Sequence, residues 1–401
     1  MRPLRRLIQI DEALSLIRKE TKPITRLEIV SIADAYGRVS AEEIVSRVDV
    51  PPFARSAMDG YAVRASDTYG ASKLKPISLR LGEVLYAGSV PKRKVKKGEC
   101  AEIATGAMLP RGADSTVKVE DTERKEGHIL FYEAIRRGQF VSARGTDISR
   151  RTRVVSKGDL LNPSKIGALA AIGREMIKVY SKPLVGVAPT GNEIAALGTR
   201  LRPGQVYNIN SYTLAGALSA NGADVRMLDI VGDSLQELQG LLKRNRDCDM
   251  IVFSGGSSVG ERDLMADLIK VSGRLVFHGV AIKPGKPTVF GVVGGQLVFG
   301  MPGNPTACLS NAYVILAPTV RSMARVPLEP PRSVIARMSK RVVSTKGRTH
   351  FLTVRLEGGV AHPAFKESGA ITSMAFADGY IVIPADVDLL VKGERVTVFL
   401  L

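Results

Sequence analysis

The apolar residues of the first 45 positions recur with the spacing of an α-helix. Residues 11–17 form one such run, which stops at Pro23, and residues 26–43 form a second. A further helical pattern begins at Asn162-Pro163-Ser164 and continues through 166–172. We therefore predict helices near the N-terminus and again within 147–180, and the later piece could pack beside the earlier one.

Residues 46–146, between these helical pieces, have a different pattern. Short runs typical of strands, at 77–81, 117–120 and 129–132, lie between glycine and proline residues. Short runs bounded by turns favour a small β-barrel or sandwich. The pattern predicts a β-rich domain inserted between two pieces of a helical domain.

Strand and helix patterns alternate over residues 183–320. The predicted strands are at 184–188, 225–230 and 250–254, and the predicted helices are at 212–220, 235–245 and 263–271. Such alternation indicates parallel strands joined by crossover helices. Gly294-Gly295 is a two-residue hairpin signal between strands at 289–293 and 296–299. A buried helix is predicted at 309–320.

The last part of the chain is separated by a proline-rich linker at Pro327, Pro330 and Pro331. Residues 332–401 are again β-rich and end in an alternating strand at 394–401. A chain of 401 residues is too long for one compact core. The predicted fold class is a multidomain α/β plus β protein.

Charge favours an anionic partner, because the formal net charge is +18 and the pI is near 9.9. Nucleic acid, acidic lipid and phosphorylated metabolites are the candidate classes. The basic clusters, at 92–97 and 150–153, are spread along the chain and could equally be solvated surface. Aromatic residues are not interleaved with them, so nucleic-acid binding is not expected.

Three cysteines and four histidines are widely separated, so neither a disulfide framework nor a zinc site is expected. No apolar run in the sequence reaches the roughly 18 residues of a membrane span. The basic N-terminus lacks the apolar core and cleavage site of a signal peptide. We expect a cytoplasmic protein with no membrane partner.

Two glycine-containing segments, 189–193 and 254–263, follow predicted strands. Ligands of open parallel sheets bind at the carboxyl ends of strands, where glycines let backbone N–H groups approach an anion and a helix N-terminus adds positive charge. Ser257 and Ser258 add hydroxyl donors. Either segment alone could be a tight turn without a ligand. Two of them in one domain, beside hydroxyl and carboxylate residues, indicate a phosphate-bearing ligand.

Three further segments have candidate chemistry and a plainer alternative. Lys283 and Lys286 flank a Pro-Gly pair, and lysine is a point charge suited to phosphate or oxyanion, although an exposed basic turn is equally consistent. Residues 300–306 could place backbone donors at a helix start or form a rigid connection. Residues 51–63, with the turn signal Asp59-Gly60, favour a domain-entry turn. Neither a Ser-His-Asp order nor a phosphate-binding P-loop occurs in the sequence, which leaves protease and kinase hypotheses without support.

Taken in order, the segments at 56–63, 254–263, 283–287 and 302–305 resemble the signature of the molybdopterin molybdenumtransferase family, which includes the C-terminal domain of gephyrin. The resemblance covers roughly residues 5–401. It implies an elongated homodimer with four domains in each chain. These are a helical discontinuous domain (1–45 and 147–180), a β-rich inserted domain (46–146), an α/β molybdopterin-binding domain with a parallel-rich sheet (181–325) and a C-terminal β-barrel (328–401).

The resemblance also implies a reaction. Adenylylated molybdopterin binds together with molybdate, the molybdate is attached to the dithiolene, and the pyrophosphate bond to AMP is cleaved in a step that depends on Mg²⁺. Tungstate would serve in a chemically similar way. The implied protein partners are the molybdopterin adenylyltransferase and apo-molybdoenzymes.

Family roles carry over to the matching positions of this sequence. The implied catalytic residues are Asp59, Asp147, Glu193, Asp233, Asp263, Lys283 and Lys286. Glu193 and Asp263 would hold the metal, and Asp59 and Asp147 would act across the dimer. The implied substrate-binding residues are Thr190, Gly191, Ser254, Gly255, Gly256, Ser257, Ser258, Gly260, Pro284, Pro302, Gly303, Asn304, Pro305, Arg348, Ser368 and Ser373.

The chain departs from the usual family residues at several positions. Ala54-Arg55 replaces an acidic-polar pair, and Gly279 stands where a basic residue is frequent. Asn192 replaces an Asp beside Glu193. Ala307 stands where Ser is frequent, so one oxyanion donor is either missing or replaced by Thr306.

Two other functions compete with the transferase. An adenylyltransferase acting one step earlier on the same pterin resembles the α/β domain alone, and the N-terminal 180 residues and the barrel argue against it. The other is a non-enzymatic scaffold or carrier of the pterin. Retention of Asp59, Glu193, Asp263, Lys283 and Arg348 favours catalysis.

Overall fold

The computed structural model describes residues 7–255, 264–328 and 330–401. The chain forms two compact units. The first unit consists of the described residues of Met1–Glu28, Gly37–Val39 and Val179–Leu401, and the second consists of Ile29–Tyr36 and Ser40–Lys178. Within the described residues, no helix has the length and apolar character needed to cross a membrane.

The described residues contain both α-helices and shorter helical turns. The α-helices are α1 (Ile10–Glu20), α2 (Pro163–Ala171), α3 (Asn210–Ala220), α4 (Leu235–Arg244), α5 (Leu264–Ser272), α6 (Pro305–Asn311), α7 (Ala317–Met323) and α8 (Thr372–Ala375). The 3₁₀ turns are Ile32–Asp34, Ala65–Thr68 and Val119–Asp121, and a π-helical turn at Ala312–Leu316 joins α6 to α7.

The strands are numbered along the chain. They are β1 (Leu27–Ser31), β2 (Ile44–Val45), β3 (Arg55–Ser56), β4 (Gly60–Val63), β5 (Ile77–Leu85), β6 (Glu99–Ile103), β7 (Ser115–Lys118), β8 (Thr122–Lys125), β9 (His128–Phe131), β10 (Val141–Ser142), β11 (Arg153–Val155), β12 (Met176–Tyr180), β13 (Leu184–Pro189), β14 (Ile194–Ala195), β15 (Val206–Tyr207), β16 (Asp224–Met227), β17 (Met250–Ser254), β18 (Arg274–His278), β19 (Ile282–Lys283), β20 (Val289–Val293), β21 (Gln296–Met301), β22 (Ser333–Met338), β23 (Val342–Val343), β24 (Thr349–Glu357), β25 (Val360–Pro363), β26 (Gly379–Ile383), β27 (Leu389–Leu390) and β28 (Arg395–Leu400).

Two predicted helices outside the α/β region are confirmed. Helix α1 has acidic residues in its first turn and basic residues in its last, which suits the helix dipole, and it buries Ala13 and Ile17. Helix α2 begins with Pro163, and the Asn162 side chain accepts a hydrogen bond from the N–H of Lys165 at 2.9 Å. Helix α1 belongs to the first unit and α2 to the second.

The predicted helix at 26–43 is wrong. Leu27–Ser31 is strand β1, which pairs with β12, and a 3₁₀ turn follows. Ile29 and Tyr36, on which the helical spacing depended, are 63% and 69% exposed and therefore mark no core face. The β-branched pair Ile29-Val30 favours the extended conformation instead.

The α/β sheet of the first unit has the strand order β16-β13-β17-β21-β20-β18. The first four strands are parallel and the last two are antiparallel to their neighbours, which confirms the predicted alternation. The predicted hairpin between β20 and β21 is also confirmed. Gly294 and Gly295 have φ values of +58° and +91°, as a tight hairpin turn requires.

Strand β17 lies at the centre of this sheet and is buried along its whole length. Val252 belongs to a core cluster with residues of α1, α3, α6 and α7, whereas Ile251 and Phe253 belong to a second cluster with residues of α4 and α5. Successive side chains of the strand therefore serve opposite faces, each covered by helices. This packing fixes the strand ends that carry the candidate site.

The C-terminal region of the first unit forms a closed barrel. Strands β24, β25, β22, β28 and β26 are neighbours in that order, and β24 also pairs with β26. The predicted C-terminal β-barrel is thus confirmed. The short strand β19 adds to β24 in parallel, with Ile282 opposite Thr349 and Lys283 opposite His350.

The second unit is built on a six-stranded sheet of order β7-β4-β6-β5-β9-β8. The strand predicted at 129–132 is confirmed within one residue. The strand predicted at 77–81 begins at Ile77 but continues to Leu85, and the one predicted at 117–120 ends at Lys118. Val119 begins a 3₁₀ turn, and its N–H donates to the Asp59 carbonyl at 3.2 Å. The four domain boundaries given above stay predictions.

Candidate active site

Three parallel strands of the α/β sheet end beside one another. Pro189 at the end of β13 lies opposite Ser254 at the end of β17, and Ser254 lies opposite Met301 at the end of β21. The loops that follow these strands therefore start at the same edge of the sheet. This arrangement brings together three of the segments that the sequence singled out.

Gly255 allows these loops to come close together. Its φ is +105°, and a Cβ at this position would lie 2.4 Å from the Thr190 carbonyl oxygen. The Gly255 N–H donates to the Met301 carbonyl at 3.1 Å, and the Thr190 N–H donates to the Ser254 carbonyl at 3.0 Å. Only glycine fits this position without displacing the neighbouring backbone.

The sheet edge opens into a cavity of about 630 Å³, called here the apolar cavity. Its predicted site residues are Thr190, Glu193, Ser254, Gly255, Gly303, Asn304 and Pro305. The opposite wall comes from β14, β15 and the residues around them, among them Ile194, Leu201 and Tyr207. A flat heterocycle would be covered by these side chains, while backbone polar groups of the loops would face its edges.

A second cavity of about 750 Å³, called here the charged cavity, shares Glu193, Gly255, Gly303 and Asn304 with the first. Its other predicted site residues are Lys283, Pro284, Lys286, Pro302, Arg348 and Ser368. Among the described residues, neither lysine nor Arg348 forms an ion pair. Their charge is therefore available to an anionic ligand.

The loop that carries the two lysines is held at both of its ends. On one side, Lys283 belongs to β19, and the N–H of Thr349 in the barrel donates to the Ala281 carbonyl at 2.9 Å. On the other side, the Asn311 side chain donates to the Gly285 carbonyl at 2.9 Å. A Cβ at Gly285 would lie 2.3 Å from that amide nitrogen. The loop is thus shaped before any ligand arrives, which lowers the ordering cost of binding.

His350 of β24 is paired with Lys283 of the neighbouring strand β19 and is 4% exposed. Burial, with a smaller contribution from the Lys283 charge, lowers the pKa of His350 to about 4. Neither ring nitrogen has a hydrogen-bond partner among the described residues. The imidazole is therefore neutral near pH 7 and adds no charge beside Lys283. The Lys283 ammonium donates to the Thr345 hydroxyl at 3.4 Å.

Glu193 is the carboxylate that both cavities share, and it folds back over Gly191. A Cβ at Gly191 would lie 2.5 Å from a Glu193 carboxylate oxygen. Asp233 is exposed and lines neither cavity. Within the described ranges, no three His, Cys, Asp or Glu side chains form a metal-binding cluster. Glu193 is thus one carboxylate at the shared rim, and Mg²⁺ is a cation that takes one or two protein carboxylates and completes its shell with substrate phosphates and water.

Comparison with known proteins covers almost the whole chain. Three family models match: the MoeA N-terminal region (domains I and II) at 8–173, the probable molybdopterin-binding domain at 187–322 and the MoeA C-terminal region (domain IV) at 335–401. A putative molybdopterin biosynthesis protein of Methanocaldococcus jannaschii is 33% identical over 97% of this chain and 95% of its own length. A molybdopterin molybdenumtransferase of Haemophilus influenzae is 30% identical, with 98% of each chain covered.

The chain belongs to the molybdopterin molybdenumtransferase family. A crystal structure of the molybdopterin biosynthesis MoeA protein of Pyrococcus horikoshii has the same fold, with a TM-score of 0.83 and 40% identity over 98% of this chain and 99% of that one. The resemblance inferred from the motifs is therefore confirmed, as is the expectation that this family member is an enzyme.

Several residues implied by membership of the molybdopterin molybdenumtransferase family are not among the lining residues of the two cavities. Asp59 and Asp147 belong to the second unit. The Asp59 carboxylate accepts the Thr105 N–H at 2.7 Å and its hydroxyl at 2.9 Å, and these bonds lower the pKa of Asp59. Ser373 is fully buried, and Gly191 lines neither cavity. The roles given to these residues stay predictions.

One predicted segment lies outside the described residues of this molybdopterin molybdenumtransferase family member. It contains Gly256, Ser257, Ser258, Gly260 and Asp263, and its first neighbour, Gly255, is described. Other cavity residues were not found from the sequence: Tyr207 in the apolar cavity, and Phe365, Lys366 and Glu367 in the charged cavity. These residues follow no strand-to-helix turn. Of their immediate neighbours, the family resemblance implied only Ser368.

Proposed function

We propose that this chain is a molybdopterin molybdenumtransferase. It binds adenylylated molybdopterin and molybdate, attaches the molybdate to the dithiolene and releases AMP. The observation that supports this proposal most directly is the pair of cavities with a shared rim. One is lined in part by apolar side chains such as Leu201, Tyr207 and Ile209, and the other by cations that form no ion pair within the described part of the chain. A substrate with flat rings and phosphate groups, bound next to a free oxyanion, matches both chemistries.

The charged cavity suits a tetrahedral dianion. Lys283, Lys286 and Arg348 offer ammonium and guanidinium donors at its wall. Such donors would hold molybdate next to the pterin and would offset the charge on the phosphates where the bond to AMP breaks. Tungstate has the same charge and shape, so we propose that it is a second oxyanion substrate.

We propose Mg²⁺ as the cofactor, held by Glu193 and by Asp263. When bound, Mg²⁺ would neutralise phosphate oxygens and so ease the departure of AMP. The Glu193 carboxylate can approach such phosphates from the rim shared by both cavities, because Gly191 leaves room for it. Removal of the divalent cation should stop AMP release without displacing the pterin from the apolar cavity.

The competing hypotheses receive less support. An adenylyltransferase would need only the α/β domain, whereas the family match includes the regions at 8–173 and 335–401. A scaffold or carrier would not need three cations around one cavity that have no ion-pair partner among the described residues. As the family resemblance implies, we also propose a homodimer that contributes Asp59 and Asp147 across the interface, receives its substrate from the adenylyltransferase and delivers the product to apo-molybdoenzymes.

The test is a turnover assay with purified chain, adenylylated molybdopterin and Mg²⁺. Three reactions contain molybdate, tungstate or neither oxyanion, and AMP release and metal incorporation are followed. We expect AMP release that depends on the oxyanion. Release without any oxyanion, or tight pterin binding with no release at all, would refute the transferase. Pyrophosphate release from ATP, with formation of adenylylated molybdopterin from molybdopterin, would identify the adenylyltransferase.

A further inference from the structure

The segment 365–370 forms part of the wall of the charged cavity and contains a third lysine. Lys366 lines this cavity together with Lys283, Lys286 and Arg348. Its side chain is exposed and, among the described residues, forms no ion pair. The motifs that identified the other three cations do not include it.

Hydrogen bonds hold this segment at Lys366 and at Ser368. The N–H of Lys366 donates to the Ser373 hydroxyl at 3.0 Å, and Ser373 is fully buried. The Asn304 amide donates to the Ser368 hydroxyl at 2.8 Å. Ser373 therefore contacts the Lys366 backbone directly and has no surface of its own in the cavity.

The start of helix α6 holds the same segment from the other side. The N–H of Thr306 donates to the Ser368 carbonyl at 3.0 Å, and the Thr306 hydroxyl donates to the Ala370 carbonyl at 2.8 Å. The Thr306 side chain is fully buried and already used, and its neighbour Ala307 lines the cavity without a polar group. Helix α6 thus offers a ligand no side-chain donor at these two positions.

The charge of the cavity wall matches a dianion. Four cationic side chains stand against two carboxylates, Glu193 and Glu367. The wall therefore has two positive charges in excess, which equals the two negative charges of a tetrahedral dianion. Without Lys366 the excess would be one. An ammonium group on an anchored backbone can meet such a dianion with little loss of conformational freedom.

We propose that Lys366 is a further anion-binding residue of this site and that Ser373 is its positioning residue. The Lys366 ammonium donates to a tetrahedral dianion in the charged cavity, where it supplies the donor that Thr306 and Ala307 do not. The dianion is either the free oxyanion or the pyrophosphate group of the pterin substrate, which carries one negative charge on each phosphoryl. Only the naming of these two sources rests on the proposed function.

The direct test is equilibrium titration of the full chain with molybdate alone and with adenylylated molybdopterin alone. Lys366→Gln should weaken one of the two probes roughly tenfold at low salt, as expected for one charge-assisted hydrogen bond. Lys366→Arg should retain most of the affinity. Lys392→Gln, at an exposed lysine of the barrel that lines neither cavity, is the matched control and should change nothing.

The two probes distinguish the source of the dianion. A loss confined to molybdate assigns Lys366 to the oxyanion, and a loss confined to the pterin assigns it to the phosphate. Unchanged affinity for both probes in Lys366→Gln, or a wild-type chain that binds neither, would overturn the proposal. A wild-type chain that binds the probes but releases no AMP would refute the transferase alone.

Ser373 is tested by a double-mutant cycle. Ser373→Ala should weaken the same probe several-fold in the wild-type chain and should have no further effect in Lys366→Gln, because it acts only through that lysine. A full effect of Ser373→Ala in the Lys366→Gln background would show direct contact with the ligand and refute the positioning role. Ala307→Ser, which adds a hydroxyl to the same wall, should recover part of the affinity lost in Lys366→Gln.

Discussion

The two cavities share a rim but differ in the charge of their other lining residues and in the segments that supply them. The rim consists largely of loop backbone around Gly255 and Gly303, whose position follows from the register of three parallel strands. The charged cavity takes its other residues from the lysine loop and the barrel, whereas the apolar cavity takes them from β14, β15 and nearby residues. The sheet therefore fixes where the two cavities meet, and separate segments determine which kind of ligand each cavity suits.

Lys283→Gln should give the largest effect and should confine it to the charged cavity. We expect AMP release to fall about 100-fold or more, because a preorganised cation at developing charge contributes a few kcal/mol. Pterin binding in the apolar cavity should change much less. Turnover and pterin titrations measure the two effects, with Lys340→Gln, an exposed lysine outside both cavities, as the control. Equal losses in both assays would contradict the division of labour.

Gly255→Ala should damage both cavities together, because it acts on their shared rim. The new Cβ would lie 2.4 Å from the Thr190 carbonyl oxygen at a φ of +105°. We expect a loss of stability of about 1–3 kcal/mol and weaker binding of both molybdate and pterin. Gly216→Ala is the control, since a Cβ there would meet nothing within 4 Å and Gly216 lines neither cavity. If Gly255→Ala impaired only one cavity, the rim would not be shared.

Tyr207→Leu should affect only the apolar cavity. The ring of Tyr207 lines that cavity, and its hydroxyl donates to the Thr199 carbonyl at 2.8 Å. Loss of an aromatic contact should weaken adenylylated molybdopterin roughly 2- to 10-fold, with no change in molybdate affinity. Titrations with each ligand test this, and Tyr212→Leu, at an exposed tyrosine outside the cavity, serves for comparison.

The last expected effect is on stability rather than on ligand binding, and it concerns His350, which pairs with Lys283. The folded-state pKa of His350, about 4, lies below the ordinary value of 6.5. The unfolded chain therefore binds more protons between these values, and stability is lost as pH falls from about 6.5 towards 4. His350→Leu should flatten this dependence by about 1–2 kcal/mol, measured by urea unfolding at pH 7 and 4.5. His362→Leu, at an exposed histidine, should leave the slope unchanged.

Much of the fold and of the rim could be predicted because glycine and proline are local signals. Glycine predicts a backbone conformation that few other residues allow. Examples are Gly255, the Gly294-Gly295 turn and the loop between Lys283 and Lys286. Spacing misled at 26–43, because Ile29 and Tyr36 are apolar yet exposed.

The residues that the sequence did not reveal depend on tertiary contacts. Lys366 reaches the charged cavity because a buried hydroxyl seven positions later holds its backbone. Tyr207 reaches the apolar cavity through a two-residue strand pairing with β14. Neither arrangement leaves a periodic pattern or a turn signal. Asp233, by contrast, is implied as a catalytic residue by the family resemblance but lines neither cavity.

The pairing of β19 with β24 has a consequence for how such enzymes can be recombined. The lysine loop lies within the α/β domain of the sequence, yet its first residues pair with a strand of the barrel. Ile282 is paired with Thr349, and Lys283 is paired with His350. A chimera that exchanges the barrel between relatives also exchanges the support of that lysine. Successful crossovers should therefore inherit both strands from one parent, although some 65 residues separate them along the chain.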